Sequence, residues 1–219
     1  MKTKSIAIIG GGPSGCALAI LLKRAGHKVA VFYLEKRPEI IVGESLVPAV
    51  VPMLKALGVE EEVKSYSTYK PGASVWLNKD EVTSSPFSAG KGKIEPYAYN
   101  VPRVKFDKTI LDKAKSEGVT FFEHIAKIEK TGNSDELKLA AETIDFCNDF
   151  FNGQPDWIVD CTGRTRTIAR LLDIPVKTGK RKDVALFAHL SGAEKIEPCN
   201  IHLHRLHKGW SWRIPLVDR

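Results

Sequence analysis

Three glycines near the N terminus have a spacing that can bind phosphate groups. Gly10, Gly12 and Gly15 form the pattern GxGxxG directly after the apolar run 6–9 and at the start of a predicted helix. In this context the first glycine allows a tight turn, the second lets backbone amides approach a pyrophosphate, and the third lets the helix pack on the strand. The helix N terminus adds its positive dipole end. The pattern predicts a dinucleotide site; the alternative is a glycine-rich turn in a sheet without a nucleotide.

A carboxylate about 20 residues after the glycines usually binds the ribose hydroxyls of such a dinucleotide. Glu35 follows Gly15 by 20 residues. Side chains alternate along a strand, so Tyr33 and Glu35 project on the same side and either could occupy the ribose end. We predict that Glu35 does.

Two further patterns could take part in chemistry. Lys70 stands two residues before Gly72, which begins a predicted strand. Burial of such a lysine would lower its pKa and free a nucleophilic amine, and the alternative is a surface lysine in a turn before Pro71. Trp210 and Trp212 project from one face of another predicted strand. Two adjacent indoles would form a rigid apolar wall, and ordinary core packing is the alternative.

The elements around the glycines predict an α/β unit. Residues 6–9 are a short continuous apolar run of the kind that a buried parallel strand needs. Helix formers follow from Cys16 to Lys23 until Gly26 ends the helix, and residues 29–33 form the next strand. This arrangement is a βαβ unit.

The alternation of strands and helices continues further along the chain. GESLVP precedes a helix that ends at Gly58, and Ser45 in this motif could simply cap that helix. The stretch VKFDKTILDKAKSEGV has helical spacing of its apolar residues. The stretch DWIVDCTGR predicts a strand that ends at Asp160 and turns through Gly163 into a helix.

A second region has the patterns of strands and turns. GASVW, DVALFAHLSG and CNIHLHRLHKGWSWRIPL each predict strands. Residues 139–151 predict an amphipathic packed helix, with a partner surface as the alternative. We therefore predict two discontinuous domains, one of residues 1–66 and 99–176 and the other of residues 67–98 and 177–219.

Composition limits the classes of function. The chain has 219 residues, 43% hydrophobic and 27% charged, which is the range of soluble globular proteins. The net charge of +7 is spread along the chain, and only KTGKRKD clusters. This cluster predicts a solvated loop, so we expect no nucleic-acid partner.

The remaining sequence signals argue against a metal site, a disulfide framework and a membrane-spanning segment. The four cysteines have no CxxC spacing, which predicts no disulfide framework and a reducing, cytoplasmic setting. His202, His204 and His207 lack the further ligands that a zinc site needs, so we predict no metal. The apolar run at the N terminus is broken by glycines and Pro13, which argues against a signal peptide or a membrane span.

The chain resembles the flavin-dependent halogenases, the tryptophan halogenase-like branch of the flavoprotein monooxygenases with the para-hydroxybenzoate hydroxylase fold. The motifs that carry the resemblance occur in the family's order: GxGxxG at 10–15, GESLVP at 43–48, the lysine at 70, DxTGR at 160–164 and GWxWxIP at 209–215. The WxWxIP pattern is the most specific of them. The match runs along all 219 residues but covers about the first half of such an enzyme, so we expect a truncated product, a fragment or one piece of a split protein.

The resemblance implies a Rossmann-like FAD-binding domain with a discontinuous, mainly β substrate domain. It also implies that reduced FAD, oxygen and chloride or bromide give hypohalous acid. Lys70 would hold this acid by a hydrogen bond or as a haloamine and deliver the halogen to an electron-rich aromatic substrate, which is free or tethered to a carrier. Trp210 and Trp212 would separate the flavin from that substrate. The alternatives are an NAD(P)H-dependent aromatic hydroxylase and a truncated, inactive flavin-binding protein.

The resemblance also completes the set of site residues. Arg103 matches an arginine that lies near the cofactor in this class, and a surface charge is the alternative. Asp160 is followed by Cys161, where hydroxylases of this fold carry a DG motif that helps to bind NADPH, which implies a separate flavin reductase. The residues predicted to bind the cofactor are Gly10, Gly12, Pro13, Ser14, Gly15, Glu35, Lys36, Glu44, Ser45, Arg103, Asp160 and Gly163.

Overall fold

The computed structural model describes residues 2–35, 38, 40–90, 95–132 and 134–219. It divides into two compact units. The first unit is Met1–Pro38 with Ile110–Asp183, and the second unit is Glu39–Thr109 with Val184–Arg219. The assignment of residues 1–66 and 99–176 to a flavin-binding domain, and of residues 67–98 and 177–219 to a substrate-facing domain, stays a prediction.

The described part of the chain contains twelve strands and six α-helices. The strands are, in chain order, β1 (Ser5–Ile9), β2 (Lys28–Tyr33), β3 (Thr68–Lys70), β4 (Gly72–Trp76), β5 (Val82–Pro86), β6 (Ala98–Asn100), β7 (Thr120–Glu123), β8 (Ile128–Lys130), β9 (Leu137–Leu139), β10 (Trp157–Asp160), β11 (Ile201–Leu206) and β12 (Gly209–Arg213). The α-helices are α1 (Pro13–Arg24), α2 (Val51–Leu57), α3 (Glu60–Ser65), α4 (Arg103–Ser116), α5 (Ala141–Phe146) and α6 (Thr167–Leu171). Short 3₁₀ turns cover Pro48–Val50, Phe87–Ala89 and Gly163–Thr165.

A parallel sheet forms the centre of the first unit. Its strand order is β10-β1-β2-β7, and every neighbouring pair is parallel. Ala7 and Ile8 in β1 and Ala30 and Val31 in β2 are fully buried, as expected for strands with apolar side chains on both faces. Helix α1 connects β1 to β2, which confirms the predicted βαβ unit.

One face of this sheet packs on the segment that follows α4. The core there consists of Ala7, Ile9, Ala30, Phe32, Ala126, Leu139, Cys147 and Phe151. The predicted helix over residues 139–151 is wrong in length, because α5 covers Ala141–Phe146 alone. Asn148, Asp149 and Asn152 adopt positive φ angles of 47°, 51° and 58°, which a right-handed helix cannot contain.

A second sheet, of order β12-β11-β4-β5, belongs to the second unit. Strand β11 pairs with β12 antiparallel and with β4 parallel, so Leu203 lies opposite both Trp212 and Val75. These strands confirm the predictions made for GASVW and CNIHLHRLHKGWSWRIPL. Strands β3 and β6 form a separate antiparallel pair, and Ser45 bridges to Asn100 in β6.

The strand predicted for DVALFAHLSG is absent from the structure. Residues 184–190 are outside the strands of the described chain, and Val184 and Leu186 are 88% and 90% exposed. An apolar sequence becomes a strand when a neighbour supplies hydrogen bonds, and none of the described strands pairs with this stretch. The preceding stretch KTGKRKD is exposed and irregular, which agrees with the predicted loop.

None of the helices in the described part of the chain is long and apolar enough to cross a membrane.

Candidate functional site

The glycine turn after β1 tolerates no side chain at two of the three pattern positions. Gly10 has a φ of 116°, and a Cβ atom there would overlap the carbonyl oxygen of Cys161. A Cβ atom on Gly15 would overlap the carbonyl oxygen of Gly10. Gly12 differs, because a Cβ atom there would meet no atom within 4 Å. The turn is therefore closed by Gly10 and Gly15 and leaves free space beside Gly12.

This free space adjoins the N terminus of α1. Gly12 is the N-cap, no side chain caps the helix, and its first turn has no acidic residue. Pro13 occupies the first turn, where a missing N–H costs nothing, and Ser14 is exposed. Uncapped amides beside open space fit an anionic ligand such as a pyrophosphate.

The ribose end of the predicted site contains a glycine that sequence reasoning missed. A Cβ atom on Gly11 would lie 2.7 Å from the Cβ of Tyr33, so the Tyr33 side chain packs directly on the turn. Its ring also makes an edge contact with Phe121, with centroids 5.5 Å apart. Glu35 lies beyond the end of β2 and is exposed. Lys36 lies outside the described residues.

Asp160 organises the turn that follows β10. Its Oδ1 accepts hydrogen bonds from the amide and hydroxyl of Thr162 at 2.9 and 2.5 Å, and its Oδ2 accepts the amide of Ile168 at 2.8 Å. Burial raises the pKa of Asp160, but the hydrogen bonds to the carboxylate outweigh burial and hold the pKa below its ordinary value. Gly163 opens the 3₁₀ turn with a φ of 60°. The Asp160 carboxylate thus caps α6 and fixes the DCTGR turn.

Lys70 is a buried amine in the second unit. It ends β3 and is 2% exposed, so the alternative of a surface lysine is wrong. Its Nζ donates hydrogen bonds to the Oγ of Ser45, at 2.8 Å, and to the carbonyl oxygen of Leu46. The ring centroid of Phe87 lies 5.3 Å from Nζ. Burial lowers the pKa of Lys70 to about 8.

Ser45 does not cap the helix that follows it. The helical segment begins at Pro48, after Val47 as N-cap, and has no side-chain cap. The Ser45 hydroxyl is instead bound to Lys70. Sequence reasoning assigned both residues to the site but missed this contact, because 25 residues separate them along the chain.

Glu44 has protein partners for both carboxylate oxygens. It is 7% exposed; its Oε2 accepts the amide of Gly43 at 2.8 Å, and its Oε1 lies 3.1 Å from Nε2 of His189. His189 has no motif around it, so the sequence held no signal for this contact. The pair lines a pocket of about 160 Å³ in the second unit. Other residues that line the pocket are Val42, Phe187, Trp212 and Ile214.

Arg103 holds the chain that leads into Glu44. Its Nε and one terminal nitrogen donate to the two carboxylate oxygens of Asp107, at 2.9 and 3.2 Å, and the other terminal nitrogen donates to the carbonyl oxygen of Val42 at 2.9 Å. A Cβ atom on Gly43 would lie 2.7 Å from this guanidinium, and Gly43 has a φ of 114°. Both the close approach and the backbone angle favour a glycine at this position.

The two tryptophans lie side by side on β12. Their ring centroids are 5.4 Å apart, with 48° between the ring planes. Trp210 is 55% exposed, whereas Trp212 is half-buried and lines the pocket beside Glu44. The pair forms a partly exposed indole surface, so the alternative of ordinary core packing does not describe Trp210.

The histidines of β11 make packing contacts. His202 accepts a hydrogen bond from the indole Nε1 of Trp76 at 3.2 Å, and His204 stacks on the same indole with centroids 5.7 Å apart. Burial, together with the charges of Arg213 and His204, lowers the pKa of His202.

Comparison with known proteins shows the family of this chain. The sequence model of the tryptophan halogenase family matches residues 5–96 and 93–219. The flavin-dependent halogenase armH3 of Armillaria mellea is 30% identical over 96% of this chain and 44% of its own length. A 1H-pyrrole-2-carbonyl-[peptidyl-carrier protein] chlorinase of Pseudomonas fluorescens is 26% identical over 97% of this chain and 53% of its own length.

Solved structures with the same fold include halogenases. CmlS, a flavin-dependent halogenase, is 25% identical with a TM-score of 0.73, and the match covers 100% of this chain and 40% of that one. A mutant of the halogenase PltM in complex with FAD has the same fold, with 18% identity, a TM-score of 0.72 and coverage of 100% and 49%. The chain therefore spans about half the length of the relatives that it matches.

Proposed function

The chain belongs to the tryptophan halogenase family, and from this premise we propose that it carries the flavin-binding turn and the halogen-transferring lysine of a flavin-dependent halogenase. The single observation that carries the proposal is the buried amine of Lys70, whose pKa of about 8 lies near physiological pH. A surface lysine would stay fully protonated there.

FAD is the proposed cofactor, and the glycine turn supports it. Gly10 and Gly15 close the turn, the space beside Gly12 would receive the pyrophosphate, and Glu35 would bind the ribose. Further proposed cofactor-binding residues are Asp160 and Gly163 in the first unit and Glu44, Ser45 and Arg103 in the second unit. The polar side chains of this group already have protein partners, so they support the proposal less directly than the turn does.

When bound at such a site, reduced FAD would supply hypohalous acid from oxygen and a halide. The ammonium form of Lys70 can donate a hydrogen bond to the oxygen of that acid. The neutral form can attack the halogen, which forms an N–halogen bond and releases water. Attack by an electron-rich aromatic carbon on that halogen then breaks the N–halogen bond, and transfer of the ring proton to the nitrogen restores the neutral amine. Because the pKa of Lys70 is about 8, both the ammonium and the neutral form are populated near physiological pH.

The tryptophan pair and the partners complete the proposal. Trp210 and Trp212 would keep the flavin apart from the aromatic substrate, so that oxygen is not transferred to the ring. The halide is chloride or bromide, and a separate reductase supplies reduced flavin. The proposed substrate is a small aromatic compound, either free or tethered to a carrier, as the name of the pyrrole chlorinase gives for that relative. Four free cysteines support a reducing, cytoplasmic compartment.

A bromination assay tests this function. The purified chain is supplied with FAD, a flavin reductase, NADH, bromide and a panel of phenols, indoles and pyrroles, and products are analysed by mass spectrometry for the bromine isotope pair. We expect a brominated product from the native chain, none from Lys70→Met, and an undiminished yield from Lys79→Met, since Lys79 is an exposed lysine. A hydroxylated product formed with NADPH alone would contradict the proposal.

A further inference from the structure

A third strand-like segment lies beside the β3–β6 pair. The amide of Leu46 donates to the carbonyl oxygen of Tyr99 at 3.0 Å, and the amide of Val101 donates to the carbonyl oxygen of Glu44 at 2.7 Å. Ser45 therefore lies opposite Asn100 on one side of β6. On its other side β6 pairs with β3.

The side chains of Lys70 and Ser45 meet across β6. Lys70 lies opposite Ala98 in the antiparallel register, and Ser45 lies opposite Asn100. Because side chains alternate along a strand and directly opposed residues share a face, all four project on one face. Because Lys70 lies opposite Ala98, its long stem must pass over this face of β6 at Ala98 for Nζ to reach the Oγ of Ser45 at 2.8 Å.

Ala98 is the residue at this crossing point. It is fully buried, so a larger side chain could not turn away into solvent. A branched side chain there would occupy the volume that the lysine stem uses, and the interior has little room to adjust. A small residue opposite Lys70 is thus a condition for the contact with Ser45.

We infer that Ser45 and Ala98 are positioning residues for the amine of Lys70. The Ser45 hydroxyl and the Leu46 carbonyl accept two of its N–H bonds, and among the described residues no carboxylate is paired with the amine. One N–H bond of the ammonium remains for an oxygen of the reacting acid. The part of this inference that concerns halogenation rests on the proposed function. The part that concerns the position of the amine rests on the observed contacts alone.

The two hydrogen-bond acceptors also affect the pKa of the Lys70 amine. Burial is the cause of the lowered pKa of Lys70, and no charged neighbour adds to it. A hydroxyl oxygen that accepts from the ammonium favours the charged form and therefore opposes the effect of burial. Loss of the hydroxyl alone should lower the pKa further.

Lysine NMR on the full chain tests the inference. The Cε and Nζ resonances of Lys70 are assigned by their loss in Lys70→Met and are titrated in the native chain, in Ser45→Val and in Ser45→Thr. Thr and Val have the same shape and differ in the hydroxyl, so the pair separates the hydrogen bond from packing. We expect Ser45→Val to lower the pKa by about one unit and Ser45→Thr to restore it.

The outcomes are distinct from those of the bromination assay. Equal pKa values in Ser45→Val and Ser45→Thr would overturn the inference, and so would a native amine that titrates at the ordinary value of a free lysine. If Ser45→Val does not fold, Ser45→Ala takes its place against Ser45→Thr. A shifted pKa in a chain that brominates nothing would uphold the positioning and overturn the proposed function.

Discussion

The carboxylate of Glu44 and the imidazole of His189 share a hydrogen bond of 3.1 Å although 145 residues separate them in the sequence. Glu44 is nearly buried, so its carboxylate depends on protein partners for solvation. The contact holds residues near 189 against the segment 42–44, which Arg103 binds through the carbonyl oxygen of Val42.

Removal of His189 should therefore weaken the second unit. His189→Ala leaves one carboxylate oxygen of Glu44 without its partner, and we expect the free energy of unfolding to fall by about 1 kcal/mol. Urea titration followed by circular dichroism measures the change. His207 is exposed in the turn before β12, so His207→Ala is the matched control and should leave stability unchanged. Equal values for the two variants would refute the contact.

Substitutions at two glycines of the turn should affect folding and cofactor binding separately. Gly15→Ala forces a Cβ atom onto the carbonyl oxygen of Gly10 and should destabilise the fold, whereas Gly12→Ala meets no protein atom and should fold normally. Gly12→Ala should nevertheless weaken FAD binding at least tenfold, because its methyl group occupies the space proposed for the pyrophosphate. Thermal unfolding and quenching of flavin fluorescence report the two effects.

The control for this pair is Gly179→Ala, since Gly179 has open space and an ordinary φ. It should change neither the melting temperature nor FAD binding. Native affinity for FAD in Gly12→Ala would argue against a dinucleotide at this turn.

The buried amine of Lys70 should make stability depend on pH. Its pKa falls from 10.5 to about 8 on folding, so between these values the unfolded state binds more protons and the free energy of unfolding rises with pH. The cost of burying the charge is fully present below pH 8 and is gone above pH 10.5. We expect the native chain to gain up to about 3 kcal/mol relative to Lys70→Met across this window.

Urea unfolding of both chains at pH 7, 9 and 10.5 measures this gain. Subtracting the free energy of unfolding of Lys70→Met from that of the native chain cancels the titration of tyrosines and other lysines, which both chains share. A constant difference across the window would mean that Lys70 is solvated in the folded protein.

Ala98 provides a test of the lysine path by side-chain size. Ala98→Val should block the crossing of β6 and reduce halogenation by Lys70 at least tenfold, while Ala98→Gly leaves the crossing open and should retain activity near that of the native chain. The yield of brominated product is compared at equal amounts of folded protein, as judged by circular dichroism. Full activity in Ala98→Val would show that the lysine takes another path.

The first unit could be predicted from the sequence because its signals are local. The apolar run of β1, the glycine pattern and the helix that follows are contiguous, and the structure contains the strand, turn and helix that they predict. Two local predictions failed for physical reasons. Positive φ angles at Asn148 and Asp149 end α5 early, and residues 184–190 have the composition of a strand without a described neighbour to pair with.

The site was less predictable because its contacts are tertiary. Lys70, Ser45 and Glu44 could be selected from motifs, but the hydrogen bond between Lys70 and Ser45 depends on β6 lying between two segments that are distant in sequence. His189 and Ala98 belong to no motif. Their parts in the site follow from register and burial, which a single sequence does not contain.

The exposed residues 184–186 bear on how the protein behaves in concentrated solution. Val184 and Leu186 present aliphatic side chains to water on an irregular backbone, and such surfaces associate when cosolutes are excluded from them. Sulfate and phosphate buffers should therefore precipitate the chain sooner than chloride buffers of equal ionic strength. Substitution of Leu186 by lysine should raise the salt concentration at which the chain leaves solution.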